Sequence, residues 1–545
     1  MRATQDGRRR GAQAVAIIVA ALVCGQALWG GQRVAAQRAV GFSDMGAVTF
    51  TGDGSPADLD PINNQTEYGS TVIRNIEEPL VRLGSPSFDR FVPVLATSWG
   101  ANADQSVWTF HLRHGVRFHS GRCCLTATDV QYSLGRSVAA NLAASYMLAR
   151  FMANPFKQIK ILDPYTVRFD LGRPQPFFIN ALAQDEYLPI LDAQLVEAHA
   201  EGKDYGHAWL SRHDAGTGPY TLQSWTPGQQ VVLTRFPAYW GGWAGPHFSK
   251  AIMTDVPSAE TRRELVERGQ ADITFDLTPQ DLRAMQSNPT LRIVAPYATE
   301  IVYMIMTEAG PLASPAARQA LSYAFNYDAL IKGIYGGYAR RSYGPIPSTV
   351  LGYDPRAFHY ETDLVKAKAL LQQAGVVPGT TLTYAYSDIF PNKEMGLILQ
   401  AQLAQIGVTL VLQELSTAAY NNVLYGNEPA SKRPNLLSNS WWPDYNDPYD
   451  MANPLVNSAQ TPPGGSNGGF YRNKAVDALL ARMATDSRSA IVADAATLQD
   501  ITGRQDPPAI WAAEPAQATV VASALRGFAL NPVQLRTFYF YSMYR

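Results

Sequence analysis

The stretch "TLTYAYSDIFPNKEMGLILQAQLAQIGVTLVLQEL", residues 381–415, carries the clearest fold signal in the chain. "TLTYAYSD" is rich in β-branched and aromatic residues and reads as a strand. "NKEMGLILQAQLAQIG" follows as a helix that Gly407 closes, since glycine adopts the left-handed conformation in which helices end. "VTLVLQEL" then sets Val408, Leu410 and Leu412 at alternate positions, the period of a second strand. Strand, helix and strand in this order predict a βαβ unit, with parallel strands joined by a right-handed crossover. Just upstream, "TDLVKAKALLQQAG" starts at a capping Asp363 and stops at Gly375, an amphipathic helix with a signal at each end.

The earlier half has a different texture. "VWTFHLRHGVRF" alternates Trp108, Phe110 and Leu112 on one face, a half-buried strand. "IKILDPYTVRFDL" reads as a hairpin turning at Asp163-Pro164, and "GPYTLQSWTPGQQVVLTRF" as another turning at Pro227-Gly228. Antiparallel strands early and a parallel unit late predict an α/β chain, mixed α+β, with at least two lobes. At 545 residues it is too long for one core, and two or three domains are expected. Ligands favour the crevices between such lobes.

Composition narrows the function classes. Apolar residues make up 46% and charged residues 17%, with a net charge of -1, which describes a folded globular protein. A balance this neutral gives no electrostatic case for nucleic acid. At the N-terminus, Arg8, Arg9 and Arg10 precede the apolar run "AVAIIVAALVCGQALW", and Val34-Ala35-Ala36 offers small residues for cleavage. That is the pattern of a secretory signal over residues 1–36. The run is too short for a membrane span, and Cys24 lacks the leucine three residues before it that a lipoprotein would carry. The mature chain then holds Cys123 and Cys124 alone. They are either a closed vicinal pair or two small buried side chains, the simpler reading.

Catalytic and metal patterns fail on context. Gly464-x-Ser466-x-Gly468 lacks the strand and helix that a nucleophile elbow needs. His111 and His114 diverge along a strand, so with His119 they make no metal set, and no metal or cofactor is expected. "SNSWWPDYNDPYDM" (438–451) crowds Asp444, Asp447 and Asp450 among rings, yet has Tyr449 and Leu455 where a calcium loop wants Gly and Glu. Paired carboxylates also leave open an exported carboxylate-dependent hydrolase.

In order along the chain, "DLDPINNQTEYGSTVIRNIEEPLVR", "LATSWGANADQSVWTFHLRHGVRFHSGRCCLTATDVQYSLGRS", "GTGPYTLQSW", "YW" at 239–240, "ARQALSYAFNYDALIKGIYGGYARRSYGPIP" and "DLVKAKALLQQAG" resemble the blocks of the bacterial extracellular solute-binding proteins of family five, the peptide/nickel/opine class. The resemblance implies a periplasmic-binding-protein-like fold of two lobes with an extra domain and a ligand cleft between the lobes. It implies domain I from 37–82, 206–300 and 505–545, an inserted domain II at 83–205, and domain III at 301–504. It further implies a periplasmic monomer, without catalysis, that hands its solute to an inner-membrane ABC permease.

For the site, the resemblance implies that Asp444 receives the ligand's ammonium, with Trp441, Trp442 and Tyr445 walling off water. Gln65, Thr66 and Glu67, and the run from Ser438 to Trp442, are expected as strands alongside the ligand backbone. Tyr146 and the loop from Gly216 to Tyr220 are further candidates. Ser438 and Asp388 fall where relatives carry carboxylate-binding arginines; Arg340 and Arg341 are the remaining cations. A longer peptide, an amine-bearing solute, an opine or a sugar derivative fits this pattern better than a free-carboxylate dipeptide. A nickel complex is disfavoured because no histidine lies in 438–451.

Overall fold

The structure, a computed structural model, describes residues 42–84, 90–531, 533–534 and 536–545. The export segment expected at 1–36 lies outside the described residues. No helix among the described residues is long and apolar enough to cross a membrane.

Three sheets organise the chain. The first has seven strands, in the order Leu291–Val294, Thr519–Ala522, Ile273–Phe275, Ala47–Gly52, Lys250–Asp255, Gln230–Arg235 and Tyr220–Thr226. The second has six, in the order Ala339–Arg340, Ala509–Pro515, Ile301–Met306, Leu436–Trp441, Thr381–Ser387 and Thr409–Leu415. A four-stranded antiparallel sheet, Ala96–Ala101, Val107–Leu112, Thr166–Asp170 and Ile159–Asp163, is separate from both. Both expected hairpins are present in these sheets.

The expected βαβ unit is in place. Thr381–Ser387 and Thr409–Leu415 pair in parallel, with helix Asn392–Gln405 between them. Gly407 follows the helix at φ 82°. Gly396 lets the helix approach the sheet, because a Cβ there would lie 2.7 Å from the Tyr384 ring. The helix Leu364–Gln373 is capped by Asp363, whose carboxylate accepts the Lys366 amide at 2.9 Å.

Three local readings are corrected. Gln65–Glu67 is no strand: the Thr66 hydroxyl accepts the Gly69 amide at 3.0 Å and caps the helix Glu67–Ile76. A threonine hydroxyl satisfying a free helix N–H outweighs extended pairing here. Strand Ala509–Pro515 is hydrogen-bonded into the six-stranded sheet, so the chain enters the first lobe only after Pro515, later than the boundary expected at 505. Cys123 and Cys124 are bonded as a vicinal disulfide, and Cys123 is exposed rather than buried.

The chain passes between the two large sheets at residues 295–300 and again at 516–518. These two crossings lie side by side: Tyr297 bridges Ala516, the Ala298 amide donates to the Pro515 carbonyl at 2.9 Å, and the Gln517 amide donates to the Pro296 carbonyl at 2.8 Å. Two neighbouring extended segments joining two packed lobes are the geometry of a hinge.

Candidate functional site

Beside the crossings lies a cleft of about 450 Å³. The first lobe lines it with Glu67, Asp276 and Arg536, and the second with Tyr335, Ser387, Phe390, Tyr420, Ser438, Asn439, Ser440 and Trp442; Glu300, Ala516 and Gln517 of the two crossings complete it. The volume falls in the range of small-ligand sites.

One wall is strand Leu436–Trp441. Its partner Thr381–Ser387 pairs with it only at Leu436 and Leu437, so the same edge is open from Ser438 onward. On the other side it pairs with Ile301–Met306 along its whole length. The Ser438 carbonyl accepts a hydrogen bond from the Tyr420 hydroxyl, and the Ser440 amide donates to the Asn439 side chain at 3.0 Å. The Ser438 hydroxyl is fully buried with no partner, as is Nε2 of Gln517. Buried polar groups are nearly always satisfied, so unpaired ones facing a cleft are what a ligand would complete.

The cleft is acidic. Arg536 meets Glu67 at 3.1 Å and Asp276 at 2.9 Å, so one guanidinium is shared between two carboxylates. Burial raises the Glu67 carboxyl against the opposing pull of Arg536. Glu300 adds a third acid. Its carboxyl is pushed up to about 7, first by burial and then by the Glu67 and Asp276 charges, which outweigh Arg536 and the Ser440 hydroxyl. Three acids against one arginine leave a negative field for a cation.

A second acidic group lies just past Trp442. The Tyr146 hydroxyl donates to Asp444 at 2.6 Å, and the Asp444 amide donates to the Asp450 carboxylate at 2.8 Å. Arg150 supports this group, reaching Asp447 at 3.4 Å, Asp450 at 3.5 Å and the Tyr445 hydroxyl. Burial raises both the Asp444 and Asp450 carboxyls; for Asp450 the Asp444 charge adds to it.

The expected residues thus divide. Glu67, Ser438 and Trp442 line the cleft, and the Trp442 ring is 50% exposed there. Asp444 and Tyr146 meet each other, with Tyr445 buried behind them at 1% exposure. Trp441 packs its ring toward the core. Gln65, Thr66, Tyr146, Asp388, Trp441, Asp444 and Tyr445 are not among the lining residues, although Ser387 and Ile389 on either side of Asp388 are. The loop from Gly216 packs on the end of the helix at Ile76, where the Gly218 amide donates to the Ile76 carbonyl at 3.0 Å. Arg340 is paired with Glu514 at 2.8 Å and Arg341 with Glu361 at 2.9 Å. Among the histidines, His119 bonds Asp214 at 3.1 Å and His114 stacks on Tyr165.

Asp276, Glu300, Tyr335 and Arg536 come from segments far apart in sequence and carry no local motif. Of Glu67, Asp276, Glu300 and Arg536, only Glu67 was singled out in the sequence, by the family resemblance.

Two lobes hinged beside a ligand-sized cleft define a binding protein. Residues 90–463 match the family described as "Bacterial extracellular solute-binding proteins, family 5 Middle", and the chain belongs to the bacterial extracellular solute-binding proteins of family 5. It is 29% identical over 447 residues to the probable D,D-dipeptide-binding periplasmic protein DdpA of Escherichia coli, covering 82% of this chain and 83% of that protein. It is 30% identical over 429 residues to the glutathione-binding protein GsiB of Pectobacterium atrosepticum, covering 78% and 80%. Among solved structures, the periplasmic binding protein DppA of Helicobacter pylori in complex with peptide STSA superposes with a TM-score of 0.75 at 26% identity, over 92% of this chain and 98% of that one. The substrate-binding protein CtaP of Listeria monocytogenes gives a TM-score of 0.80 at 22% identity, over 92% and 99%, a likeness of fold.

Proposed function

We propose that this protein captures a peptide or peptide-like, amine-bearing solute in its interlobe cleft and delivers it to an inner-membrane ABC permease. The observation that carries this reading is the open edge of strand Leu436–Trp441 from Ser438 onward, inside an acidic cleft. An extended ligand can add to such an edge through its own main chain, replacing the Tyr420 hydroxyl and the Asn439 side chain that hold the Ser438 carbonyl and the Ser440 amide, which gives affinity without reading side chains. Asp444, held by Tyr146, is assigned the ligand's α-ammonium. A carboxylate raised by burial gains most from an arriving cation.

The proposal includes export through the signal at 1–36, a periplasmic monomer, and domains divided as 37–82 with 206–300 and the chain after Pro515, 83–205, and 301–515. The strand memberships of the three sheets support that division. The relatives are named for what they bind, which supports capture without chemistry on the solute. Titration calorimetry with a library of tri- and tetrapeptides tests it. Saturable binding by peptides with a free N-terminus, weakened by N-acetylation, is expected. Binding of acetylated and free peptides with equal affinity would sink the ammonium assignment.

A further inference from the structure

Within the cleft, the charges do not balance even before a ligand arrives. Arg536 spends its guanidinium on Glu67 and Asp276, at 3.1 Å and 2.9 Å, and sits over the Phe275 ring. Among the described residues no cation stands within ion-pair distance of Glu300, which also lines the cleft. The Ser440 hydroxyl, on strand Leu436–Trp441, is near enough to favour its ionised form. Tyr335 feels the Glu300 charge and meets Phe390 edge-to-face at 5.3 Å. Phe390 and Trp442 are each about half exposed beside them, at 53% and 50%. A carboxylate at the end of an aromatic-walled space suits a cation on an apolar stem.

Two further groups fix what else the ligand must offer. Gln517 is 4% exposed and holds its carbonyl oxygen to the Arg536 amide at 3.1 Å, while its Nε2 donor is unpartnered. The buried Ser438 hydroxyl is likewise unpartnered. Both line the same cleft as Glu300. They call for acceptor oxygens, such as the carbonyls of an amide chain, in the same molecule as the cation.

We infer that Glu300, with Ser440 and the Tyr335–Phe390 wall, forms a side-chain subsite selecting a basic group, so that the preferred solutes are peptide-like molecules with a lysine- or ornithine-type side chain. This rests on the peptide reading above but concerns a second cation, separate from the α-ammonium at Asp444. With a neutral or acidic side chain at this place, Glu300 would keep only the pull of Arg536, which it shares with Glu67 and Asp276, and would gain no cation of its own.

The test is calorimetric titration at pH 8 with tripeptides Ala-Ala-Ala in which each position in turn carries lysine or norleucine, which has the same stem without the ammonium. At one position the wild-type chain should prefer lysine by about tenfold or more. In Glu300→Gln, whose fold is checked by its unfolding temperature, the preference should collapse to about twofold or less. Equal affinity for the two side chains in the wild-type chain, or a preference that survives in Glu300→Gln, overturns the inference. Should Glu300→Gln fail to fold, the wild-type comparison decides alone. If no tripeptide binds, the peptide reading falls; cadaverine then becomes the probe. A thermal shift with cadaverine that Glu300→Gln loses upholds the subsite, and no shift overturns it.

Discussion

At the scale of single residues, the site is governed by carboxylates held where water is scarce. Asp444 accepts the Tyr146 hydroxyl at 2.6 Å and is raised by burial. If it receives the ligand's ammonium, Asp444→Ala removes one partner of a buried pair. The expected loss is about 3–5 kcal/mol, roughly a hundred- to several-thousand-fold in affinity. Calorimetry with any peptide that binds the wild-type chain checks this, and a change of a few-fold or less would remove Asp444 from the site. Glu300 sets the pH dependence. Its carboxyl stands near 7 in the free cleft, facing Glu67, Asp276, Arg536, Ser440 and Tyr335. A bound cation favours the ionised form, so proton release accompanies binding and affinity for a lysyl ligand rises as pH passes from about 6 to 8. Glu300→Gln should flatten that profile; the same slope in the variant would assign the proton elsewhere.

At the scale of elements, much of the fold is set by short-range signals. The βαβ unit at 381–415 was legible because alternation and a terminal glycine act over a few residues. The hairpins at Asp163-Pro164 and Pro227-Gly228 follow from turn chemistry in the same way. Thr66 shows the limit: the resemblance implied an extended segment, but a hydroxyl that can cap a helix did so. The charged cluster was legible only at Glu67, since Asp276, Glu300 and Arg536 join it only through the crossing of the chain between sheets. The support of the acidic group at Asp444, Asp447 and Asp450 was not legible, since Tyr146, which meets Asp444, and Arg150, which meets Asp447 and Asp450, precede it by some three hundred residues. One buried pair ties the elements of the first lobe to the extra domain. Arg136, on the helix Ala127–Ala139, grips Asp60 with two hydrogen bonds of 3.0 Å and 2.7 Å, and His207 adds a third at 3.0 Å. Asp60→Ala leaves a buried guanidinium unpaired and should destabilise by about 3–5 kcal/mol in urea unfolding. A loss below about 1 kcal/mol would show that the pair does not hold these elements together. Burial acts to raise the Asp60 carboxyl, but Arg136 and His207 outweigh it and hold it below its ordinary value. The pair's stabilisation is therefore present above the ordinary carboxylate range and lost as pH falls through the lowered value.

At the scale of the whole molecule, the two crossings at 295–300 and 516–518 give the lobes a shared axis beside the cleft. A ligand that touches both lobes stabilises the closed arrangement by its differential affinity for it. Small-angle scattering should then show a smaller radius of gyration with saturating peptide than without. An unchanged radius would mean that binding and closure are uncoupled. The central claim, capture of amine-bearing peptide-like solutes, is tested most directly by native mass spectrometry of the mature protein exported to the periplasm and purified without unfolding. The account predicts bound species of a few hundred daltons, the size a cleft of about 450 Å³ accommodates, separated by amino-acid residue masses and released on unfolding. A single bound species without an amine, such as a neutral sugar or an organic acid, would contradict it.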